Sequence, residues 1–337
     1  MEDIRDLRQR PLQDLRISLT DRCNFRCVYC MPKAIFGDPR HFMPQGNALT
    51  REEIILLAAA FVKLGVTKLR LTGGEPLIRH DLINIVEGLA SLNGVQDIAL
   101  TTNGAMLTRA KAHDLKQAGL TRITISLDSL DDRRFRQING VDFPVAKVLA
   151  AIDNAAAAAL SPVKINAVIK RGLNDQDIVP LARHFRHSGH VMRFIEFMDV
   201  GMHNGWTRSA VVSAQEILAA LQTQWVLKPL PPRAFGEVAT RYAYADQAGE
   251  IGIIASVTQP FCHACVRARL SADGRLFLCL FADSGLSLRD MIRQGANIED
   301  VASRIKTIWE GRNDHYSELR MTSKATGTRM EMFQLGG

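Results

Sequence analysis

Cysteine is the residue type best placed to do chemistry in this chain, and its six copies are unevenly spread. Cys23, Cys27 and Cys30 form a C-x3-C-x2-C run, and Cys262, Cys265 and Cys279 a C-x2-C-x13-C set, with no cysteine in the 231 residues between. The start, Met1–Asp6, has neither the apolar core nor the small-residue cleavage site of a secretion signal. The expectation is therefore a cytoplasmic protein, in which such grouping reads as metal or redox chemistry rather than disulfides. Three thiolates on one short loop can wrap an iron–sulfur cluster and leave one iron without a protein ligand. A coordination site left open marks a catalytic rather than a structural centre. Zinc lacking a fourth ligand, or buried free thiols, are the alternatives. The second set also counts three; His263 is the nearest fourth ligand for a structural zinc, but it lies inside the two-residue loop between Cys262 and Cys265.

Cations come next. The 42 Lys and Arg exceed the 35 Asp and Glu, a net charge of +7 that favours an anionic partner. Three Trp and four Tyr are few for a base-stacking surface, so a small anion is expected rather than nucleic acid. Arg16, Arg70 and Lys164 each sit in a strand-like run where polar and apolar residues alternate. Leu15, Ile17 and Leu19 alternate with Arg16, Ser18 and Thr20, and Leu69 and Leu71 with Lys68, Arg70 and Thr72. Ile123, Ile125 and Leu127 alternate with Arg122, Thr124, Ser126 and Asp128, and Val163, Ile165 and Ala167 with Lys164 and Asn166. Period-two geometry sends each set to one side of a sheet. Gly73-Gly74-Glu75-Pro76 ends the second run, where glycine lets backbone approach closely.

These residues need a frame. The chain is 337 residues long, 47% apolar and 23% charged, a globular composition with no apolar run long enough to span a membrane. Strands are expected near 15–20, 67–72, 97–102, 122–127, 163–169 and 191–197. Helices fall between them, such as one entered at Thr50 with Glu53 as a capping box. That alternation predicts βα units and a parallel sheet. A closed eight-stranded barrel would fill its interior with branched apolar side chains. Six strands with a polar, cationic inner face predict an incomplete (β/α)6 TIM-like barrel holding an anion. The residues 226–337 read as a smaller α+β domain, set off by the break at Pro229-Leu230-Pro231-Pro232 and closing on a flexible Gly336-Gly337 tail, with 1–225 as the barrel.

Thr20 to Pro32, around the first cysteine run, resembles the signature of radical S-adenosylmethionine (SAM) enzymes. The resemblance implies a 4Fe–4S cluster on Cys23, Cys27 and Cys30, with SAM on the fourth iron and a 5′-deoxyadenosyl radical from its cleavage. Both cysteine sets together resemble the GTP 3′,8-cyclase (MoaA) family of molybdenum cofactor biosynthesis. The segments 69–76, 101–104, 126–129, 193–199 and 265–270 and the final Gly336-Gly337 carry that likeness over the whole chain. It implies a second 4Fe–4S cluster on Cys262, Cys265 and Cys279. It also implies SAM contacts at Tyr29, Gly74, Ser126 and Met198, with Asn103 near the ribose. GTP contacts are implied at Arg16, Arg70, Thr101, Lys164, Arg267, Ala268 and Arg269, and a catalytic role for Arg193. The implied product is (8S)-3′,8-cyclo-7,8-dihydroguanosine 5′-triphosphate. An electron donor such as flavodoxin, a downstream cyclic pyranopterin monophosphate synthase and a homodimer would accompany it, with no membrane and no nucleic acid. Strict alternation sets Arg193 opposite Met198, so the last barrel strand must end or bulge near 195 if both face the interior. A peptide-modifying radical SAM enzyme with an auxiliary cluster and a zinc-bearing nucleic-acid module are the rival readings.

Overall fold

The computed structural model describes residues 4–319 and 329–336. Six parallel strands lie side by side in sequence order: β1 (Asp14–Ser18), β2 (Lys68–Thr72), β3 (Asp97–Thr102), β4 (Arg122–Ser126), β5 (Lys164–Ile169) and β6 (Val191–Glu196). A helix crosses back between each pair, as parallel pairing demands. The first long one, Arg51–Lys63, starts where the sequence predicts: Thr50 accepts from the Glu53 N–H at 3.2 Å and Glu53 accepts from the Thr50 N–H at 2.9 Å. Leu15, Ile17, Leu71, Ile123, Ile125 and Ile165 are fully buried beneath these helices, so the apolar phase of each strand faces outward into the helical layer. Truncating one such side chain to Ala typically costs about 2–5 kcal/mol. The polar phase is left for the interior. This is a partial TIM-like barrel.

The C-terminal part brings its own helices, Leu288–Arg293 and Ile298–Glu310, and six more strands. These strands, β7 (Leu227–Leu230), β8 (Thr240–Tyr244), β9 (Glu250–Ile254), β10 (Arg267–Leu270), β11 (Arg275–Phe277) and β12 (Leu286–Ser287), extend the barrel sheet at both edges. β9 pairs in parallel with β6, and β10 in parallel with β1. The full order is β12-β11-β10-β1-β2-β3-β4-β5-β6-β9-β8-β7. The partners of these strands are not legible in the sequence, because register between strands far apart in the chain leaves no local trace. Pro229 does not break the chain here: it lies within β7, the outermost strand, where a missing N–H costs no ladder bond on the open side.

The chain end is also packed rather than free over its described residues. A short helix, Met332–Leu335, buries Phe333 among Met31, Phe36 and Phe42, with the Phe36 and Phe333 ring centroids 5.0 Å apart. Gly337 lies outside the described residues. Among the described residues no helix is long and apolar enough to cross a membrane.

Candidate active site

Inside the barrel lies a cavity of about 390 Å³. Its lining holds twelve Lys and Arg against four Asp and Glu. Strand register explains the excess. Arg16 stands directly between Arg269 on β10 and Arg70 on β2, three guanidinium groups in one row. Like charges set opposite one another across strands repel. Burial, and then Arg269, Arg267 and Arg70, hold the Arg16 pKa well below its ordinary value. Arg16 Nε and Arg267 Nη2 are buried without a hydrogen-bond partner among the described residues. Arg70 Nη1 donates to Thr101 Oγ1 at 3.1 Å. Lys164 is pushed down to about 7 by burial and by Arg193, Arg122 and Arg70. Arg193 is lowered to about 9, again chiefly by burial. Its Nε donates to Asn166 Oδ1 at 2.9 Å, and a Cβ on the facing Gly252 would come within 3.0 Å of Arg193 Cγ. Glycine in β9 thus makes the room that Arg193 occupies.

The first cysteine loop follows β1, so it sits at the mouth formed by the C-terminal strand ends. The N–H groups of Cys30 and Met31 both donate to the Cys27 carbonyl, at 3.0 and 2.8 Å, curling the loop. Cys23 Sγ accepts from the Phe25 N–H at 3.4 Å and from Asn103 Nδ2 at 3.7 Å. All three thiols are free. Burial, with Glu75 next, pushes Cys23 up to about 12; burial also raises Cys27 and Cys30 well above the ordinary thiol range. Iron would supply the positive charge that lets such buried thiols ionise. Three free thiols on a curled loop, one already receiving hydrogen bonds on sulfur, fit an iron–sulfur cluster. Glu75, pushed up to about 7 by burial, accepts from Thr102 Oγ1, the Asn103 N–H and the Leu77 N–H at 2.7, 2.7 and 2.9 Å. The Gly74 N–H donates to the Thr20 carbonyl at 2.7 Å, and a Cβ there would lie 2.2 Å from the Arg22 carbonyl oxygen. Glycine is therefore required where the loop after β2 passes the backbone leading into the cysteine loop. Tyr29 donates to Asp128 Oδ2 at 2.7 Å, and burial lifts that carboxyl to about 6.

The second set occupies the opposite mouth. Cys262 and Cys265 precede β10, which runs parallel to β1, and Cys279 follows the antiparallel β11. All three line the cavity and are free. Burial acts to raise Cys265, but Arg267 and Arg312 outweigh it and bring the thiol down to about 7. Cys279 is pushed up to about 12 by burial and Asp314. This donor set, too, suits a cluster held by three thiolates. Among the described residues no three His, Cys, Asp or Glu side chains close to the span of a single metal ion. Between the mouths, the rise from Asp14 to Ser18 alone is about 13 Å.

The structure brings Arg16, Arg70, Thr101, Lys164, Arg193, Met198, Arg267 and Arg269 to the one cavity. Arg193 and Met198 share it because β6 stops at Glu196, so strict alternation lapses before Met198. Tyr29, Gly74 and Ser126 do not line it; Ser126 stands on the Thr124 side of β4, and the other two sit at the first cysteine loop. Ala268 is placed elsewhere: it is fully buried beside Leu15 on the outer, apolar face. Gly336 caps the inner end, its carbonyl and that of Leu335 accepting from Arg269 Nη1. Sequence reasoning missed Arg10, Arg122 and Arg312. Arg122 was visible on the polar face of β4; nothing local marks the other two. It also missed the loop 231–239, which lines the cavity through Arg233, Phe235 and Glu237 and crosses towards β10, where a Cβ on Gly236 would meet Val266 Cγ2 at 2.7 Å.

The Radical SAM superfamily profile matches residues 17–185, and that of Molybdenum Cofactor Synthesis C matches residues 190–318. In fold, the chain is similar to SuiB of Streptococcus suis bound to S-adenosylmethionine, with a TM-score of 0.62 at 14% identity over 97% of this chain and 78% of that one. The partial barrel, the cysteine loop at its C-terminal mouth and these matches define the class: a radical SAM enzyme, dependent on SAM and an iron–sulfur cluster. A GTP 3′,8-cyclase of Acidothermus cellulolyticus is 52% identical over 323 residues, covering 95% of this chain and 89% of that one. A second, from Xanthomonas axonopodis pv. citri, is 46% identical over 328 residues and 97% of each chain. The chain belongs to the GTP 3′,8-cyclase family of molybdenum cofactor biosynthesis.

Proposed function

We propose that this chain converts GTP to (8S)-3′,8-cyclo-7,8-dihydroguanosine 5′-triphosphate, the first step of molybdenum cofactor biosynthesis, using two 4Fe–4S clusters at opposite mouths of the barrel. The observation that carries the reading is the row Arg269–Arg16–Arg70, three like charges in register that a polyanion laid across them would offset. Arg is suited to such a ligand because its planar fork meets phosphate oxygens two at a time.

Cys23, Cys27 and Cys30 would hold the first cluster, and Tyr29, Gly74, Ser126 and Met198 would shape the place for SAM beside it. When bound, the cluster and SAM supply the radical chemistry that opens the ribose C3′–H bond. The chain's own residues position and shield. Arg16, Arg70, Lys164, Arg267 and Arg269 bind the triphosphate, while the Thr101 hydroxyl holds the Arg70 guanidinium in place. Ala268 contributes only backbone between two arginines. Arg193, fixed by Asn166 and Thr124, presents a cation on the β6 side of the cavity. Cys262, Cys265 and Cys279 would hold the second cluster, which would supply a site for the purine at that mouth of the cavity. The loop 231–239 and the packed chain end exclude water. The same reading carries with it a cytoplasmic setting, a flavodoxin-type electron donor, a homodimer and a downstream cyclic pyranopterin monophosphate synthase, all resting on family resemblance.

Anaerobic incubation with SAM, reductant and GTP, followed by product mass and 5′-deoxyadenosine detection, tests it. Substituting Cys262, Cys265 or Cys279 by Ser should abolish cyclisation and spare SAM cleavage. Equal loss of both in these variants would remove the second cluster from the mechanism, and no GTP-dependent product in the parent would end the reading.

A further inference from the structure

We propose that Asp6, Arg10, Arg312 and Asp314 form a buried clasp that positions Cys262 and Cys265 and sets the redox behaviour of the cluster they hold; this rests on the two-cluster reading above. Three distant parts of the chain meet there. Arg10 Nη1 donates to the Cys262 carbonyl at 2.9 Å and to the Asp314 carbonyl at 2.8 Å, while its Nε donates to Asp6 Oδ2 at 2.5 Å. Arg312 Nη1 donates to the Cys265 carbonyl at 2.9 Å, Nη2 to Cys265 Sγ at 3.4 Å, and Nε to Asp314 Oδ1 at 2.6 Å. Trp309 lies beneath, with the Arg312 guanidinium 4.5 Å from its ring and its Nε1 donating to the Arg10 carbonyl at 3.1 Å. Both arginine side chains are only 1% exposed and Asp6 is fully buried.

Two buried cations face two carboxylates, so the clasp is balanced in charge by the chain's own residues, with Arg10 Nη2 left without a hydrogen-bond partner among the described residues. Its directional bonds go to the two ends of one short cysteine turn, Cys262–Ala264, which makes no side-chain capping bond of its own. A planar guanidinium fork holds a carbonyl and a sulfur through N–H groups of fixed geometry, which a rotatable lysine ammonium does not impose. Hydrogen bonds and charge at ligand sulfur tune cluster potential, and groups that orient ligands typically change metal retention by about 10–100-fold. Arg10 and Arg312 are thus positioning residues that act through Cys262 and Cys265.

The test uses the full chain with Cys23, Cys27 and Cys30 changed to Ser, so that only the second set can take up iron. After anaerobic reconstitution with iron and sulfide, iron release to a chelator and the midpoint potential are measured. Arg312→Gln should release iron about tenfold faster and shift the midpoint to lower potential. Arg312→Lys keeps the charge without the fork, so it should return the potential towards the parent while release stays fast. Asp314→Asn, a milder change at a partly exposed side chain, should also speed release and keeps the test open if Arg312→Gln does not fold. Parent-like release and potential in Arg312→Gln, or parent-like release in Asp314→Asn where Arg312→Gln does not fold, would overturn the clasp. Failure of the triple-Ser protein itself to bind iron would instead overturn the second cluster, and the clasp with it.

Discussion

Lys164 should make GTP binding depend on pH. Within the barrel its ammonium is held down to about 7, first by burial and then by Arg193, Arg122 and Arg70. A triphosphate laid across these cations reverses the balance and favours the charged form. The sign follows: bound pKa above free pKa means that binding takes up a proton and weakens as pH rises through the free value. With a free pKa of about 7, the factor lost is about 1.1 at pH 6, about 2 at pH 7 and about 11 at pH 8, up to about 1.4 kcal/mol. GTP titrates its own terminal phosphate in the opposite sense, so the comparison must be with a variant. Calorimetric titration of the reconstituted enzyme with GTP, in two buffers of different ionisation heat, reads affinity and proton uptake together. Lys164→Met should lose affinity and flatten the pH dependence by about tenfold between pH 6 and 8. Lys164→Arg stays charged throughout and should flatten it while keeping affinity. Equal pH slopes in the parent and Lys164→Met would refute the argument.

Gly336→Ala should cut cyclisation at least about fivefold with iron content unchanged, because a positive φ outside the favoured wells costs about 1–3 kcal/mol for a residue with a side chain. The added Cβ would also stand 2.0 Å from Thr72 Cγ2, at φ 69°, and lift the chain end from Arg269; turnover and limited proteolysis read both effects. Glu75→Gln should lower stability by about 1–3 kcal/mol, seen as a lower urea midpoint, because its carboxylate accepts three hydrogen bonds and an amide turns one of those contacts into donor against donor.

Much of the interior was legible because a strand hides nothing about its faces. Arg16, Arg70, Arg122 and Lys164 all occupy the polar phase of their strands, and the structure turns that phase inward. The limits of the same rule are equally visible. Arg193 and Met198 conflict on paper only while β6 is extended past Glu196, and no residue there signals where pairing ends. Ala268 lies between two cavity arginines in sequence and on the other side of the sheet in space. Arg10 and Arg312 could not be read at all: one meets its cysteine across 252 residues, the other across 47, and each stands in an irregular segment without periodicity. The neighbours of β9 and β10 were hidden for the same reason.

The seam between the two halves of the chain is therefore a poor place to cut. Ending the polypeptide near 225 would strip β9 from one flank and β10 from the other, leaving β1 and β6 as bare edges with unmet N–H and C=O groups. Raw edges of this kind recruit one another, so such a fragment is expected to clump rather than survive as a smaller working enzyme.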